Sequence, residues 1–410
     1  MEKRVVVTGL GAVTPLGNDV KTTWENMKKG VCGIDTVTKF DASGYKCTFA
    51  GEVRGFDPTL YMPKGEVRKT DLYCQYAVAA ATQAYEDSGL TADGVAPDRF
   101  GVYIGSGIGG IQTLVTEHTK LIEKGPGRIS PFFVPMMISN IASGTVAIKY
   151  HAQGPNIGIV TACATSTNSI GEAYRAIKHG YADVMLAGGS EAAITPLCFA
   201  GFISCQALSQ ATDKNRASIP FDKERAGFTM GEGGAVVLLE EYEHAKARGA
   251  KIYAELAGYG CTNDAYHMTA PDPEATASAR AVELAVREAG IEAGRGVYVN
   301  AHGTGTPLND KTETRMLKKV FGDGAYALHV SSTKSMTGHM LGAAGGVEAI
   351  ASVLALYEGV VPPTINYRVK DEECDLDITP NEAVSAPLTS ALSTSLGFGG
   401  HNGCLAFRKV

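Results

Sequence analysis

The chain has 410 residues, of which 44% are hydrophobic, and this is enough to bury a large core and to form two lobes. The net charge of -6 argues against general nucleic-acid binding, which favours a basic surface, so any acidic partner needs a local basic patch. None of the nine cysteines belongs to a C-x-x-C pair, so neither a zinc site nor a disulfide framework is indicated. Reduced thiols in a cytoplasmic protein are therefore expected.

The first residues, MEKRVVVTGLGAVTPLGN, superficially suggest a signal peptide because basic residues precede an apolar run. That run is only a few residues long before Thr, Gly and Pro interrupt it, and it predicts a first strand followed by a turn. No charge-free apolar stretch approaches the roughly 18 residues of a membrane span. The most apolar late segment, residues 340–361, contains Glu348 and Glu358. We therefore expect no membrane association.

Short β-branched runs alternate with helical patterns and Gly-rich turns along the whole chain, which predicts an α/β fold. Two pairs of segments repeat the same order of elements, since residues 77–110 resemble 279–307 and 157–177 resemble 327–350. Because both echoes occur in the same chain order, they indicate an internal duplication.

The boundary between the two repeats is expected near residue 250, where EEYEHAKARGAK predicts a charged, exposed helix end. This division gives an N-terminal half at 1–250 and a C-terminal half at 251–410. The chemistry is expected where the halves meet, at the carboxyl ends of their strands.

Cys163 follows the apolar run 157–160 and precedes a helix-like sequence, so its thiol is predicted at a helix N-terminus. Unpaired backbone N–H groups and the helix dipole favour an anion there by roughly 0.3–1 kcal/mol. Such a setting can lower a thiol pKa from about 8.5 to between about 3.5 and 7.5. The small residues Ala162, Ala164 and Ser166 leave room for an incoming carbonyl. Considered alone, however, Cys163 is better explained as one more small core residue.

Two histidines in the second half change this interpretation. His302 lies in VNAHGTGTP just after a predicted strand, and His339 lies with Lys334 in SSTKSMTGHMLGAAGG around another strand-to-helix junction. Cys163 and both histidines fall on the equivalent kind of turn in the two repeats. No nearby carboxylate or thiolate pair completes a metal ligand set, so no metal is expected.

The last motif, SLGFGGHNGCLAF, places Phe398 between Gly397 and Gly399. A backbone N–H at such a turn can help to bind an oxyanion, while the ring can gate a pocket. By itself, the motif is more simply explained as a Gly-rich hairpin before the final strand.

In combination and in order, these motifs resemble those of the β-ketoacyl-acyl-carrier-protein synthases, the elongating condensing enzymes of dissociated fatty-acid synthesis. The resemblance runs from VVVTGLGAVTPLG through TACATSTNSIG, PFDKERAGFTMGEGG, VNAHGTGTPLND and KSMTGHMLGAAG to LGFGGHNG, which is nearly the whole chain. The type II subgroup is the most similar, because Ile108 stands in GSGIGG where that subgroup has isoleucine. The resemblance implies a homodimer with a thiolase-like fold, duplicated and built of five αβαβα layers.

The resemblance also implies an acyltransferase that performs a decarboxylative Claisen condensation. Cys163 would take the acyl chain from a phosphopantetheine arm, with the N–H groups of Cys163 and Phe398 as the oxyanion hole. Neutral His302 and His339 would each donate an N–H to the enolate that malonyl-acyl carrier protein leaves after loss of carbon dioxide. Lys334 would keep both histidines neutral and pair with Glu348. No redox cofactor or catalytic metal is implied, because the phosphopantetheine arrives on the acyl carrier protein.

Further residues are similar to those that hold the substrate in this family. Thr304 and Thr306 would bind the pantetheine amides, and Thr269 is another substrate-binding candidate. Ile108, Phe133 and Phe202 resemble acyl-pocket residues, although plain core packing explains each of them nearly as well.

The acidic carrier protein is expected to dock on two basic clusters, although a solvated face is the default explanation of such clusters. The residues concerned are Lys64, Arg68, Lys69, Lys124 and Arg128. Gln206 is a departure, because similar enzymes often have a basic residue at this position. His401 and Cys404 also stand where Thr and Ser are more usual.

Several alternatives use the same features. A thiolase also has a nucleophilic cysteine and a second cysteine near its C-terminus, as Cys404 is here, but two histidines suit decarboxylation better. Initiating synthases and chalcone-type enzymes use Cys-His-Asn, so His339 argues against them.

A dinucleotide-binding protein is another alternative. Residues 105–110 satisfy the dinucleotide motif G-x-G-x-x-G, but no strand ending in an acidic residue follows at the expected distance. A non-catalytic partner subunit would lack Cys163, whereas a stand-alone polyketide ketosynthase shares these motifs and stays open.

Overall fold

Helices and strands alternate along most of the chain in the computed structural model, which describes residues 2–292, 294 and 296–410. The α-helices within these ranges are Val20–Lys28 (α1), Lys64–Val67 (α2), Leu72–Asp87 (α3), Ile111–Lys124 (α4), Phe133–Met137 (α5), Ile141–Tyr150 (α6), Thr165–Lys178 (α7), Pro196–Ser204 (α8), Tyr242–Ala247 (α9), Thr276–Ala289 (α10), Pro307–Phe321 (α11), Lys334–Thr337 (α12) and Ala344–Glu358 (α13). Short 3-10 turns are Pro58–Leu60, Pro97–Arg99, Pro126–Arg128, Ala162–Ala164, Lys214–Arg216, Gly322–Ala327 and Leu341–Ala343.

The strands of the same described residues are Val5–Val13 (β1), Asp35–Thr36 (β2), Phe49–Ala50 (β3), Phe100–Gly105 (β4), Val184–Glu191 (β5), Gly233–Glu241 (β6), Ala254–Asn263 (β7), Val297–Asn300 (β8), His329–Ser331 (β9), Val360–Val361 (β10), Val384–Ser385 (β11), Ser390–Gly397 (β12) and His401–Arg408 (β13). The large sheet has the order β4-β5-β6-β1-β7-β13-β12-β8-β9. β2 pairs with β3, and β10 pairs with β11, in two small separate sheets.

The sheet is symmetric about the antiparallel pair of β1 and β7, in which Val5 lies opposite Leu256. Moving outward from this pair, β6 and β13 are antiparallel to their inner neighbours, and β5 and β12 are antiparallel to these in turn. β4 and β8 then lie parallel to β5 and β12. Each half therefore repeats the same strand order and direction, which confirms the duplication.

Helices cover the sheet in layers. α3 packs on β1, β5 and β6 of the first half, and α10 packs on β7 and β13 of the second half. α7 and α13 contact each other and strands of both halves, so they form the middle layer between the two parts of the sheet. This arrangement confirms the expected five-layered αβαβα fold.

The predicted strand at 157–160 is largely wrong. A parallel bridge joins Asn156 to Val102 of β4, but no regular ladder continues from it in residues 157–160. The segment occupies the place that β9 fills beside β8 in the second half. A strand was predicted here, whereas the loss of pairing after one residue was not.

The apolar segment near the C-terminus lies in the core. Leu341–Glu358 has the length and composition of a membrane span, and within the described residues it is the one stretch that does. In the structure 89% of it is buried, because it forms the 3-10 turn and helix of the middle layer. Its apolar character is explained by contact with strands on both sides.

Matched glycines let the outer helices approach the innermost strands. A Cβ at Gly11 of β1 would lie 1.9 Å from the Ala80 carbonyl oxygen of α3. In the second half, a Cβ at Gly260 of β7 would lie 1.8 Å from the Ala281 carbonyl oxygen of α10. Real Cβ atoms do not tolerate such distances, so each half needs glycine where its helix crosses its first strand.

We expect Gly260→Ala to lower the free energy of unfolding by about 1–3 kcal/mol, because the added methyl group pushes α10 off the sheet. Chemical denaturation measures this change. The control is Gly201→Ala in α8, where an added Cβ meets open space. That substitution should leave stability unchanged or raise it by up to about 1 kcal/mol. Equal effects of the two changes would contradict the close packing.

Candidate active site

Cys163 lies in a strained turn at the start of α7. The preceding residue, Ala162, has a φ of 50°, and the 3-10 turn Ala162–Ala164 leads directly into the helix. The second half contains the same device, because Leu341 has a φ of 48° at the start of the 3-10 turn that leads into α13. Alanine and leucine rarely adopt positive φ, so the matching conformations mark equivalent positions in the duplicated fold. Cys163 therefore corresponds to Gly342.

The two turns pack against each other. Ser166 in the first turn of α7 donates to the carbonyl oxygen of Gly342. A Cβ at Gly345 of α13 would lie 2.8 Å from the backbone nitrogen of Thr167, so glycine is required at this contact. The start of α7 in the first half is thereby held beside the residues that follow His339 in the second.

The structure brings the sequence-predicted cysteine and histidines into one cavity. A cavity of about 340 Å³ is lined by Cys163, His302, His339 and Phe398. Thr304, Thr306 and Thr269 also line it, as does Gln206. Residues from both halves therefore share this space, as the sequence predicts.

His302 and His339 lie edge to face, with ring centroids 5.4 Å apart and an interplanar angle of 88°. Lys334 Nζ lies 3.4 Å from His302 Nδ1. Because an ammonium group can only donate, Nδ1 accepts and the ring proton of His302 is on Nε2. Lys334 also forms a buried ion pair with Glu348, the partner that the family resemblance implies.

Both imidazoles are held in their neutral form. Burial lowers the pKa of His302 well below 6.5, and the neighbouring charge of Lys334 lowers it further. Burial and Lys334 act in the same direction on the pKa of His339. Within the part of the chain that the structure describes, neither ring nitrogen of His339 has a hydrogen-bond partner. A neutral imidazole of this kind has an N–H available for a substrate oxygen.

The predicted low pKa of Cys163 is not found. Burial raises the pKa of this thiol to about 12, although Lys334 and the backbone N–H of Phe398 act to lower it. The helix N-terminus favours the thiolate, but at this buried position desolvation, which disfavours the charged form, has the larger effect. The sulfur therefore carries its proton in this site.

Phe398 occupies the turn between β12 and β13. Its backbone N–H lies close enough to the Cys163 sulfur to act to lower the pKa of that thiol. Gly397 makes this approach possible, because a Cβ there would lie 2.7 Å from the Thr161 carbonyl oxygen and 3.3 Å from the Cys163 nitrogen. The motif is thus a Gly-rich hairpin that also presents a donor beside the sulfur.

The predicted acyl-pocket residues divide into two groups. Phe202 packs 5.6 Å from the ring of Phe228, a cavity residue, and 6.5 Å from the ring of Phe398. Ile108 and Phe133 do not line this cavity in the described protein, and Ile108 is 36% exposed. Their assignment to the acyl pocket stays a prediction.

The proposed docking residues are all at the surface, together with Gln206 at the cavity. They are Lys64, Arg68, Lys69, Lys124 and Arg128. Lys69 is paired with Glu66 at 3.0 Å. Their accessibility permits contact with an acidic partner, which stays a prediction.

Cys404 lies in the core of β13, among the buried residues of the second half and not on the cavity. Burial raises the pKa of its thiol far above the usual range. A second catalytic cysteine, as in a thiolase, is therefore not provided by Cys404. His401 begins the same strand beside the Phe398 turn and does not line the cavity.

The Gly-rich turn after β4 binds a carboxylate of the chain itself. Ser106 Oγ and the Ile108 nitrogen donate to Glu191 Oε1 at 2.8 and 3.2 Å. The nitrogens of Gly107 and Gly342 donate to Oε2 at 2.9 and 3.0 Å. Glu191 thus fills the place that a dinucleotide phosphate takes in a Rossmann turn, which argues against that alternative. The signal that was overlooked is a charged residue ending the apolar run VMLAGGSE.

Glu313 of α11 was also missed. It accepts from the backbone nitrogens of His302 and Gly303, each at 2.7 Å, and from Thr394 Oγ1 at 2.7 Å. Burial raises the pKa of Glu313 to about 7. Its position nearly two turns into the helix that follows HGTGTP is the sequence signal that points back to the histidine turn. Among the residues that the structure describes, no group of three His, Cys, Asp or Glu side chains could hold a metal ion.

Two family models match the chain in succession. The N-terminal domain of β-ketoacyl synthases matches residues 2–245, and the C-terminal domain matches residues 253–368. Together they cover most of the 410 residues.

Known proteins are similar over the full length. The chain is 52% identical to 3-oxoacyl-[acyl-carrier-protein] synthase 2 of Synechocystis sp., over 100% of this chain and 98% of the relative. The protein of the same name from Staphylococcus aureus strain N315 is also 52% identical, over 99% of this chain and 98% of the relative. A solved type II polyketide ketosynthase, in complex with its acyl-carrier protein and bound to the hexaketide, is 37% identical with a TM-score of 0.91, and the match covers 100% of both chains.

The depressed histidine pKa values predict acid sensitivity. Between pH 7.5 and 5.5 the unfolded chain takes up protons at these histidines that the folded chain does not, so stability falls as the pH falls. His339→Gln removes one such group. When the pH falls from 7.5 to 5.5, the free energy of unfolding of this variant should therefore decrease by about 1.4 kcal/mol less than that of wild type. Urea denaturation at both pH values measures the difference. Exposed His267→Gln is the control that should behave as wild type, and a variant His339→Gln with the wild-type pH dependence would contradict the prediction.

Proposed function

The chain belongs to the β-ketoacyl synthase family, and from this premise we propose that it condenses an acyl chain with malonyl-acyl carrier protein. The product is a 3-oxoacyl-acyl carrier protein, and the reaction is the chain-elongating step of fatty-acid synthesis. The observation that carries the proposal is the shared cavity, in which Cys163 faces two neutral imidazoles.

In the first half-reaction, Cys163 accepts the acyl chain. Its sulfur attacks the thioester carbonyl while the carrier's sulfur leaves and takes up the proton that the thiol gives up. The negative oxygen of the tetrahedral intermediate is held by the backbone N–H groups of Cys163 and Phe398. The position of the Phe398 N–H near the sulfur supports this role. Because the resting thiol is protonated, attack and proton loss are coupled.

In the second half-reaction, the malonyl group loses carbon dioxide and leaves an enolate. Nε2–H of His302 and an N–H of His339 donate to the enolate oxygen. The tautomer of His302 that places its proton on Nε2 supports this role. The carbanion carbon then attacks the acyl-cysteine carbonyl, the carbon–sulfur bond breaks, and the Cys163 thiolate that leaves takes up a proton from water. The released chain is two carbons longer.

No resident metal or redox cofactor enters these steps. The phosphopantetheine belongs to the carrier protein, and Thr304 and Thr306 are the residues that we propose bind its amides. Their hydroxyls lie 3.1 Å apart beside the cavity. Thr269 also lines the cavity, and we propose that it contacts the same arm.

The proposed carrier partner is acidic, and it would use the exposed basic residues named above. A solved relative shows a ketosynthase in complex with its acyl-carrier protein, which supports this partner. We further propose a cytoplasmic location and a division between the two lobes near residue 250, between β6 and β7.

An exposed apolar surface supports a homodimer. It is formed by α4, α5, α6 and the sheet edge at 156–160. Its most exposed residues are Ile148 at 83%, Ile122 at 73%, Val134 at 56%, Ile157 at 51% and Val160 at 50%. α4 buries only Thr113 and Glu117, and both are polar or charged. A soluble chain seldom leaves an unpaired sheet edge and so much apolar side-chain area in water.

The alternatives are less well supported. Identity is 52% to the fatty-acid synthases and 37% to the polyketide ketosynthase, so fatty-acid elongation is favoured over a polyketide pathway. Cys163 on the cavity argues against a non-catalytic partner subunit. The buried position of Cys404 argues against a thiolase.

The partial reactions test the proposed roles. Cys163→Ala should abolish formation of an acyl-enzyme from acyl-carrier protein, measured by intact-protein mass spectrometry. His302→Ala and His339→Ala should still form the acyl-enzyme but release carbon dioxide from malonyl-carrier protein more slowly, by about 10²–10³ each, because each loses one donor to the enolate.

Exposed Cys261→Ala is the matched control and should keep both partial reactions. An acyl adduct on the Cys163→Ala protein would show that another residue is the nucleophile. Wild-type carbon dioxide release by both histidine variants would exclude the enolate role. Elongation assays with acyl-carrier protein and acyl-coenzyme A separate the proposed synthase from a thiolase.

The dimer surface gives a separate prediction. Ile157→Arg combined with Val160→Arg should convert a dimer to a monomer, because two guanidinium groups would be buried at the edge contact. Light scattering after size exclusion measures the mass. Val384→Arg is the control, since Val384 is 40% exposed on β11, away from this surface. A double variant that keeps the wild-type mass, or a monomeric wild type, would refute this interface.

A further inference from the structure

We propose that Arg225 is a positioning residue that holds the turn 303–307 in the conformation that receives the pantetheine arm. This inference rests on the proposed function, because it takes Thr304 and Thr306 as the residues that bind the arm. Arg225 lies in the motif PFDKERAGFTMGEGG, and it does not line the cavity. Its effect would therefore reach the substrate only through the turn.

Three successive carbonyl groups of the turn are bound from one short segment. The Gly227 nitrogen donates to the Gly305 oxygen at 3.1 Å. Arg225 Nε donates to the Thr306 oxygen at 3.2 Å, and Arg225 Nη2 donates to the Pro307 oxygen at 3.1 Å. With its carbonyls held from behind, the turn places Thr304 and Thr306 in the wall of the cavity.

Arg225 is itself fixed by buried acceptors. Its side chain is 4% exposed, and its Nη1 donates to the Asp222 oxygen at 3.0 Å and to the Asp371 carboxylate. Nε lies 3.6 Å from Asp310 Oδ2. A planar guanidinium can serve several acceptors in different directions at once, whereas an ammonium group has a single nitrogen. The site is therefore built for arginine.

Asp310 closes the same network from inside the turn. Its Oδ1 accepts from the Gly305 nitrogen at 3.2 Å, and its Oδ2 accepts from the Phe221 nitrogen at 2.7 Å. The carboxylate is fully buried, with Arg225 as its cationic neighbour. Segment 221–227 and turn 303–307 are thus joined through both backbone and side chains, so they move as one unit.

The turn has two separate attachments. Glu313 binds the nitrogens at His302 and Gly303 and so fixes the catalytic end. Arg225 binds the carbonyls at Thr306 and Pro307 and so fixes the arm-binding end. Loss of Arg225 is therefore expected to weaken recognition of the arm while the imidazole of His302 stays in place.

The test compares two acyl thioesters in the same preparation. Acyl-pantetheine carries two amides, whereas acyl-N-acetylcysteamine carries only the amide nearer the sulfur. Transfer of the acyl group to Cys163, followed by mass spectrometry, gives kcat/KM for each thioester, and their ratio is independent of the concentration of folded enzyme. Arg225→Lys should lower the ratio about fivefold, the factor that one hydrogen bond typically contributes. The loss should appear in KM, with the maximal acylation rate within about twofold of wild type.

Arg216→Lys is the control. Arg216 also binds Asp222, at 2.9 Å, but its remaining described partners are Asn366 and Glu224, away from the turn. It should keep the wild-type ratio. Asp371→Asn is a milder second variant, because it removes the charge of one of the acceptors of Arg225, and it should lower the ratio by about twofold.

Each outcome decides the inference. An unchanged ratio in Arg225→Lys, or an equal fall in Arg216→Lys, would overturn it, as would a fall in the maximal rate with KM unchanged. A ratio near one for the wild-type protein would also overturn it, because the turn would then not bind the second amide. If Arg225→Lys does not fold, the ratio of Asp371→Asn decides in the same way. Wild type that is acylated by neither thioester and by no acyl-carrier protein would instead refute the proposed function.

Discussion

The close approach of α7 and α13 is the constraint on which the site depends. Both helices lie in the middle layer, and glycine at 345 lets the start of α13 reach the backbone at Thr167 without a side chain between them. Cys163 lies just before one helix and His339 just before the other. A larger residue at this contact would separate the helix starts and with them the sulfur and the imidazole. The geometry of the reaction is therefore set by backbone contact between the two halves, and the reactive side chains only complete it.

This packing also determines the charges of the site. Residues at the meeting of two helix starts and two sheets are far from water, so burial is the main influence on the pKa of Cys163, His302 and His339. Burial favours the neutral form of all three groups. Lys334 forms a buried ion pair with Glu348 in this setting. The result is a site of neutral donors around one paired cation, which suits the stabilisation of an oxyanion that exists only during reaction.

Much of this was predictable from the sequence. The duplication follows from two repeated segments, and Cys163, His302, His339 and Lys334 stand out because each lies in a turn of small residues after a predicted strand. Arg225, Glu191 and Glu313 were not identified, because they act on backbone groups of turns that are far away in the chain or on another element. No local pattern marks such a contact. The predicted lowering of the Cys163 pKa was wrong for a related reason. The helix N-terminus can be recognised in the sequence, whereas the depth of burial cannot.

The predicted edge strand shows a second limit. The run Ile157–Gly158–Ile159–Val160 has the composition of a strand, but a strand also needs a partner, and within one chain β4 pairs with this segment only at Asn156. The second half supplies the contrast, because β9 forms three pairs with β8 at the equivalent edge. The composition of the segment thus indicates a preference for β-strand. The neighbouring strand that would pair with residues 157–160 is missing from the single chain. A homodimer that joins two such edges would supply that pairing.

The duplicated turns have diverged in a way that divides the chemistry. Ala162 and Leu341 keep the same positive φ, so both halves preserve the strained turn before a middle-layer helix. The next residue is Cys163 in one half and Gly342 in the other. A second side chain at 342 is excluded, because a Cβ there would lie 2.4 Å from the Gly107 nitrogen and 2.7 Å from Glu191 Oε2. The thiol at this turn therefore belongs to the first half, while the second half contributes the imidazoles of His302 and His339. Two copies of one turn, packed together, thus place a thiol from one half on the same cavity as the imidazoles of the other.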